Sequence, residues 1–147
     1  MGPRGNKPKL LSWILLATSL FWAGQSHAGP RADYMIHCQG CHVGDGSGFP
    51  GKVPDVRDTI PALLESDGGR AFLVQVPGSA QAALSDSKLA GVLNWMVTTL
   101  SREPVKAFAP YTEAEIATAR ATPLIDVTPV RDKLLAQGKE ADHRPAE

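Results

Sequence analysis

Several function classes are poorly served by what this chain of 147 residues contains. Neither sign of charge is in surplus, with 15 Lys and Arg against 15 Asp and Glu, which argues against a polybasic nucleic-acid binder. Long apolar runs are scarce. The sustained one, residues 10–23 (LLSWILLATSLFWA), spans 14 positions, whereas a membrane helix takes about 20. Internal repeats, heptads and alternating strand patterns are missing, so neither a coiled coil nor a sheet fold is indicated. Cysteine occurs only twice, at Cys38 and Cys41. The length fits a single domain of ordinary size.

Acidic residues are also absent from the first 28 positions. There, Arg4, Lys7 and Lys9 precede the apolar run, and Gln25-Ser26-His27-Ala28 places small residues at 26 and 28. That order predicts a secretory signal peptide over residues 1–28, cleaved before Gly29, and no stable membrane span. Cleavage removes 28 of 147 residues and three of 15 basic groups, leaving 119 residues with 12 basic and 15 acidic groups, a formal net charge of −3. The expected location is periplasmic. An oxidising compartment permits a disulfide between two cysteines, but their spacing has to decide.

Helical signals dominate the rest. Residues 31–42 (RADYMIHCQGCH) lack proline and predict a short helix leading into the cysteines. Residues 43–57 hold four glycines and two prolines, which predict an ordered loop without a strand, its backbone close to some neighbour. A short helix is expected from Thr59-Ile60-Pro61 through Glu65, ended by Gly68-Gly69, and another over residues 70–76. Residues 79–84 read as a loop of small residues. The clearest helix is residues 86–100, capped by Ser85, with Leu89, Val92, Leu93, Met96 and Leu100 on one apolar stripe. Residues 102–110 read as a linker. Thr112-Glu113-Ala114-Glu115 is a capping box opening a helix to about Thr122. Thr128-Pro129 opens a second one through Gln137, closed by Gly138, and residues 139–147 form a charged, disordered tail. The predicted class is all-α.

Cys38-Gln39-Gly40-Cys41-His42 is C-x-x-C-H, the sequence of covalent haem attachment. Two thiols three residues apart on one helical turn can add to the two vinyl groups on neighbouring edges of a porphyrin. The next residue then presents its imidazole to the iron from one face. A thioredoxin-type redox pair would need a βαβ unit, which this sequence does not offer, and a zinc site would need further ligands nearby.

With that motif, residues 31–100 resemble the small class I c-type cytochromes. Tyr34, four residues before Cys38, stands where the family has an aromatic packed on the last core helix, with Trp95 as its counterpart. The glycine-rich stretch from Gly44 to Gly48 follows the histidine as the family's loop does. Pro54 resembles the proline whose carbonyl accepts a hydrogen bond from the proximal imidazole, a bond that fixes its tautomer and strengthens it as a donor. The resemblance implies a cytochrome c-like helical fold around one covalent haem c over residues 29–102, followed by two short helices in a C-terminal extension, residues 103–138. It implies Cys38 and Cys41 as thioether positions, His42 as proximal iron ligand, and Pro54 and Trp95 as cofactor-binding residues.

One departure bears on function. Family members carry a methionine, the sixth ligand, in the loop before the final helix, and residues 76–84 (VPGSAQAAL) contain none. Met96 is then the candidate distal ligand, against the simpler role of core filler. Met35 and His37 share a helix with the cysteines, and His143 lies in the charged tail. The family's glycine at the first helix crossing is also missing, with Pro30 near that place. The expected function is one-electron transfer for a periplasmic dehydrogenase or oxidase in a respiratory chain, with no catalytic constellation beyond the haem and no nucleic-acid partner. Two alternatives accompany it: ligand or peroxide chemistry at an open sixth site, with Gln75, Gln81 or a tail residue as distal polar group, and a haem subunit of a larger oxidoreductase docked through the extension. Lys52, Arg57 and Arg70 are candidates to pair with haem propionates, or else solvated; Asp45 reads as a turn residue. Without haem, a chain so rich in glycine and proline should fold poorly.

Overall fold

The computed structural model describes residues 29–142, and the predicted signal peptide lies outside them. Eight helices, with no named strand among the described residues, give the expected all-α architecture: α1 (Pro30–His37), α2 (Gln39–His42), α3 (Val56–Leu64), α4 (Gly69–Gln75), α5 (Pro77–Ala80), α6 (Asp86–Thr99), α7 (Glu113–Arg120) and α8 (Thr128–Asp142). None of these is long and apolar enough to cross a membrane.

The core forms where α1 and α7 pack on α6, and α7 also covers α4. The stripe behaves as its spacing predicts: Leu89, Val92, Leu93 and Met96 are buried, and Leu100 packs at their edge. At the α1–α6 crossing the contacts form three levels. The Pro30 ring lies 3.7 Å from where a Gly91 Cβ would stand, the Tyr34 and Trp95 rings pack tilted with centroids 5.2 Å apart, and Lys88 Nζ reaches the buried Asp33 at 3.6 Å. A small residue at this crossing thus stands on α6, where a Cβ would make ordinary contact with the Pro30 ring. A second cluster, Leu63, Phe72 and Leu134, joins α3, α4 and α8.

Local departures from the sequence expectations have identifiable causes. The N-terminal helix breaks at Cys38, which separates α1 from α2. α3 starts at Val56, before Thr59, because the Asp55 carboxylate caps it by accepting the Arg57 N–H at 3.0 Å. Pro61 consequently sits inside the helix and leaves the Arg57 carbonyl without its usual partner. The Arg102 N–H donates to that carbonyl at 3.1 Å. Gly68, in the left-handed region at φ 88°, precedes α4, and residues 77–80 wind into one helical turn where a loop was expected. Gly138 does not end the last helix. A Cβ there would stand 2.9 Å from the Ala62 carbonyl oxygen and 3.1 Å from Ser66 Oγ, so this glycine permits close packing of α8 on α3. The helix continues to Asp142, and residues 139–142 of the expected disordered tail are helical.

Candidate functional site

The two cysteines and the histidine of the motif lie around a single tight turn. The Cys41 and His42 N–H groups both donate to the Cys38 carbonyl, at 3.2 and 3.0 Å, and the Cys38 N–H closes α1 on the Tyr34 carbonyl at 2.9 Å. Both thiols are free; Cys38 is half-buried and Cys41 exposed. Burial pushes the Cys38 thiol up to about 11, with neighbouring Cys41 adding to the rise. A thioredoxin-type nucleophile needs a shift in the opposite direction. Among the described residues, no three His, Cys, Asp or Glu side chains gather as a metal cluster.

His42 is oriented through its ring and its backbone. Its Nδ1 lies 3.3 Å from the Pro54 carbonyl oxygen, so the ring donates there and leaves Nε2 with its lone pair free. Burial lowers its pKa, partly opposed by the Pro54 hydrogen bond, and the net direction favours the neutral imidazole that ligation requires. The His42 carbonyl accepts the Gly48 N–H at 3.1 Å. Two thiols on one turn beside one neutral imidazole with a free Nε2 match the donor set of a covalently attached haem.

The loop after the motif is held by backbone contact and by charge. Gly48 has φ 62°, and a Cβ there would stand 2.5 and 2.6 Å from the Val53 and Pro54 carbonyl oxygens, so only glycine lets the loop lie against the segment that carries Pro54. An isolated bridge pairs Phe49 with Val53. Asp45 accepts the Ser47 N–H at 3.0 Å, the expected turn role, and pairs with Arg57 at 3.0 Å. Arg57 also bonds Asp55, and Arg102 bridges Asp55 and Asp58. Arg70 forks onto Glu115 with two bonds of 2.8 Å and lies 4.2 Å over the Tyr111 ring. Arg57 and Arg70 are thus engaged in ion pairs while partly exposed to solvent, and Lys52 is the exposed cation of the three.

The other named residues are distributed as follows. Trp95 packs on Tyr34 behind the motif turn. Met96 is 5% exposed and belongs to the main core with Val92, Leu93 and Val97, whereas Met35 on α1 is 53% exposed. Gln75 donates to Thr122 Oγ1 at 2.9 Å, Gln81 is exposed, and His143 lies outside the described residues. Sequence reasoning missed Arg120. Its guanidinium donates to the carbonyls of Ala80, Ala82 and Leu84 at 3.2, 2.8 and 2.9 Å and to Asp86 at 2.8 Å. The C-terminal segment thereby grips the loop that precedes α6. These partners lie 34 to 40 residues away in sequence, beyond the reach of any local pattern.

No family model matches the chain. It is similar to two proteins named cytochrome c-552, both from Thermus thermophilus. Each is 32% identical over 112 residues, covering 63% of this chain and 86% and 76% of the relatives.

Proposed function

The chain belongs to the c-type cytochromes, and from that premise we propose that it is an exported one-electron carrier with a single covalent haem c. The observation that carries this reading is the motif turn, with two free thiols and an imidazole whose Nδ1 is engaged by the Pro54 carbonyl at 3.3 Å. Cys38 and Cys41 hold the haem as thioethers. His42 ligates the iron through Nε2, and Pro54 fixes its tautomer and raises its donor strength. The haem supplies the reversible one-electron couple; the protein sets its potential through ligand, burial and hydrogen bonding. Residues 1–28 direct export and are removed, and the electrons pass between a periplasmic dehydrogenase and the oxidase end of a respiratory chain. Within this reading Met96 is the candidate sixth ligand.

A second reading, ligand or peroxide chemistry at an open sixth position, draws on one observation: residues 76–84 contain no methionine, and Met96 is packed in the core. The third, a haem subunit docked through the extension, has less support, since Tyr111, Ile116, Ala119 and Leu134 of that segment are buried within this chain. The deciding experiment is expression in a host with haem-attachment machinery, followed by spectra of both redox states with and without cyanide. A low-spin spectrum with the methionine-to-iron charge-transfer band, unmoved by cyanide, is the carrier's signature. A high-spin spectrum that shifts with cyanide transfers the function to ligand chemistry, and absence of covalent haem overturns both. Intact mass of the exported protein, expected to begin at Gly29, tests the leader.

A further inference from the structure

The residue that follows His42 is held in a conformation its side chain disfavours. Val43 has φ 61° and ψ 171°, a region essentially restricted to glycine, where a non-glycine residue is strained and persists only if its surroundings enforce it. Valine is β-branched and tolerates positive φ especially poorly. Four glycines lie within the next eight residues, at 44, 46, 48 and 51, yet this position is not one of them.

The surroundings that enforce it are visible. The Val43 N–H donates to the Gln39 carbonyl at 2.9 Å, and the Gly46 N–H reaches the Val43 carbonyl at 3.4 Å. The short contact is from a side chain: Tyr34 Oη donates to the Val43 carbonyl at 2.6 Å. Tyr34 is itself 1% exposed and packed against the tilted Trp95 ring. Its hydroxyl ties α1 to the peptide that leaves the histidine, while the bond at the imidazole ring is a long one, 3.3 Å to Pro54. The ring is thus held loosely and its backbone tightly.

We infer that the Tyr34 hydroxyl is a positioning group for His42, acting through the strained Val43 peptide: it holds the chain in a conformation that would otherwise relax and carry the imidazole with it. The inference rests on the haem reading, because the imidazole's orientation matters only if Nε2 ligates the iron. Packing on Trp95 needs only the ring; the hydroxyl is the part of Tyr34 to which the positioning role belongs.

The test is a cycle of four haem-loaded proteins: parent, Tyr34→Phe, Val43→Gly and the double variant. The readouts are the reduction potential and the low-temperature spin-state spectrum. Glycine adopts φ 61° without strain, so Val43→Gly removes the need for the anchor. Tyr34→Phe alone should loosen the imidazole, weaken its donation and shift the redox equilibrium toward the reduced state by three- to tenfold, tenfold being about 59 mV for one electron. In the Val43→Gly background the same substitution should shift it less than twofold. Equal shifts in both backgrounds, or a parental potential in Tyr34→Phe, would overturn the inference, because a merely structural hydrogen bond changes stability without this coupling. If Tyr34→Phe fails to mature, recovery of haem-loaded protein in the double variant supports the inference and continued failure overturns it. A parent that carries no covalent haem would refute the haem reading itself, a result distinct from all of these.

Discussion

The two ends of the described chain are stabilised by different means. Between residues 31 and 57 the buried positions are Asp33, Tyr34, Gly46, Gly48 and Val56. Backbone hydrogen bonds, glycines and carboxylate–arginine pairs hold this stretch. The segment after residue 103 buries Tyr111, Ile116, Ala119 and Leu134 and is fastened by Arg70 and Arg120. The first region has contacts enough to specify a shape but little apolar mass to stabilise it; the second has both. On the proposed haem reading, the N-terminal end is the one that would draw on its guest for stability, as many small chains with limited cores depend on a cofactor, while the C-terminal end already has apolar mass of its own.

The largest test of that contrast is to remove the attachment. Replacing Cys38 and Cys41 by serine should abolish covalent haem completely, read by haem staining after denaturation. Amide exchange in the haem-free protein should then be fastest over residues 43–55 and slowest in α6 and α7, because the latter share the buried cluster that includes Leu93 and Ile116. Uniform exchange along the chain would erase the distinction between the two ends.

Next in size is the arginine clamp. Arg120 satisfies three carbonyls and one carboxylate at once, and truncating it leaves those acceptors partly unpaired. Arg120→Ala should destabilise the haem-loaded protein by about 2–3 kcal/mol in denaturant titrations. Arg120→Lys should recover the Asp86 pair but little else, since an ammonium lacks the planar fork. A loss within about 0.5 kcal/mol, the range of ordinary surface substitutions, would mean that the C-terminal segment merely rests on the loop.

These regions were also unequally legible in the sequence. Local chemistry reads well: Ser85 accepts the Lys88 N–H at 3.3 Å and Thr112 the Glu115 N–H at 3.2 Å, at the positions their spacing indicates. The capping box is half-used, because the Glu115 carboxylate goes to Arg70. Tyr34 and Trp95, far apart in the chain, pair through the resemblance and not through any local pattern. Features that depend on distant partners were illegible. Pro61 marks a helix start by local rules, and its tolerance inside α3 depends on an N–H from Arg102. Gly138 reads as a terminator because glycine usually is one, and only the approach of Ala62 shows otherwise. Nothing in the sequence marks Val43 as strained, since valine is the residue least expected there.

Gly138 gives a smaller and sharper test. In a solvent-exposed helix interior, glycine to alanine stabilises by about 1 kcal/mol. Here the added Cβ would press on a backbone oxygen that cannot rotate away, so Gly138→Ala should instead destabilise by about 1–2 kcal/mol, with the sign as the readout. A gain in stability would mean that α8 is not seated on α3.

The smallest effect per unit change is on the alkaline limb, where both ends contribute. Burial pushes the Tyr34 hydroxyl up to about 12 and raises that of Tyr111, with the Arg70 guanidinium opposing. An unfolded tyrosine ionises near pH 10, so above that pH the unfolded chain loses protons that the folded one retains. Stability is then complete below pH 10 and falls as pH rises through 10 toward 12, by at most about 1.4 kcal/mol per pH unit for each tyrosine. Tyr34→Phe should lower stability at pH 8 yet flatten this limb, because the titrating group is gone. Tyr111→Phe should do the same at the other end, where Tyr111 Oη donates to the Arg70 carbonyl at 3.2 Å. Unfolding of both variants at pH 8 and pH 11 separates the contributions. If only Tyr111→Phe flattens the limb, Tyr34 is not held protonated by burial, and its surroundings are more open to water than its 1% exposure indicates.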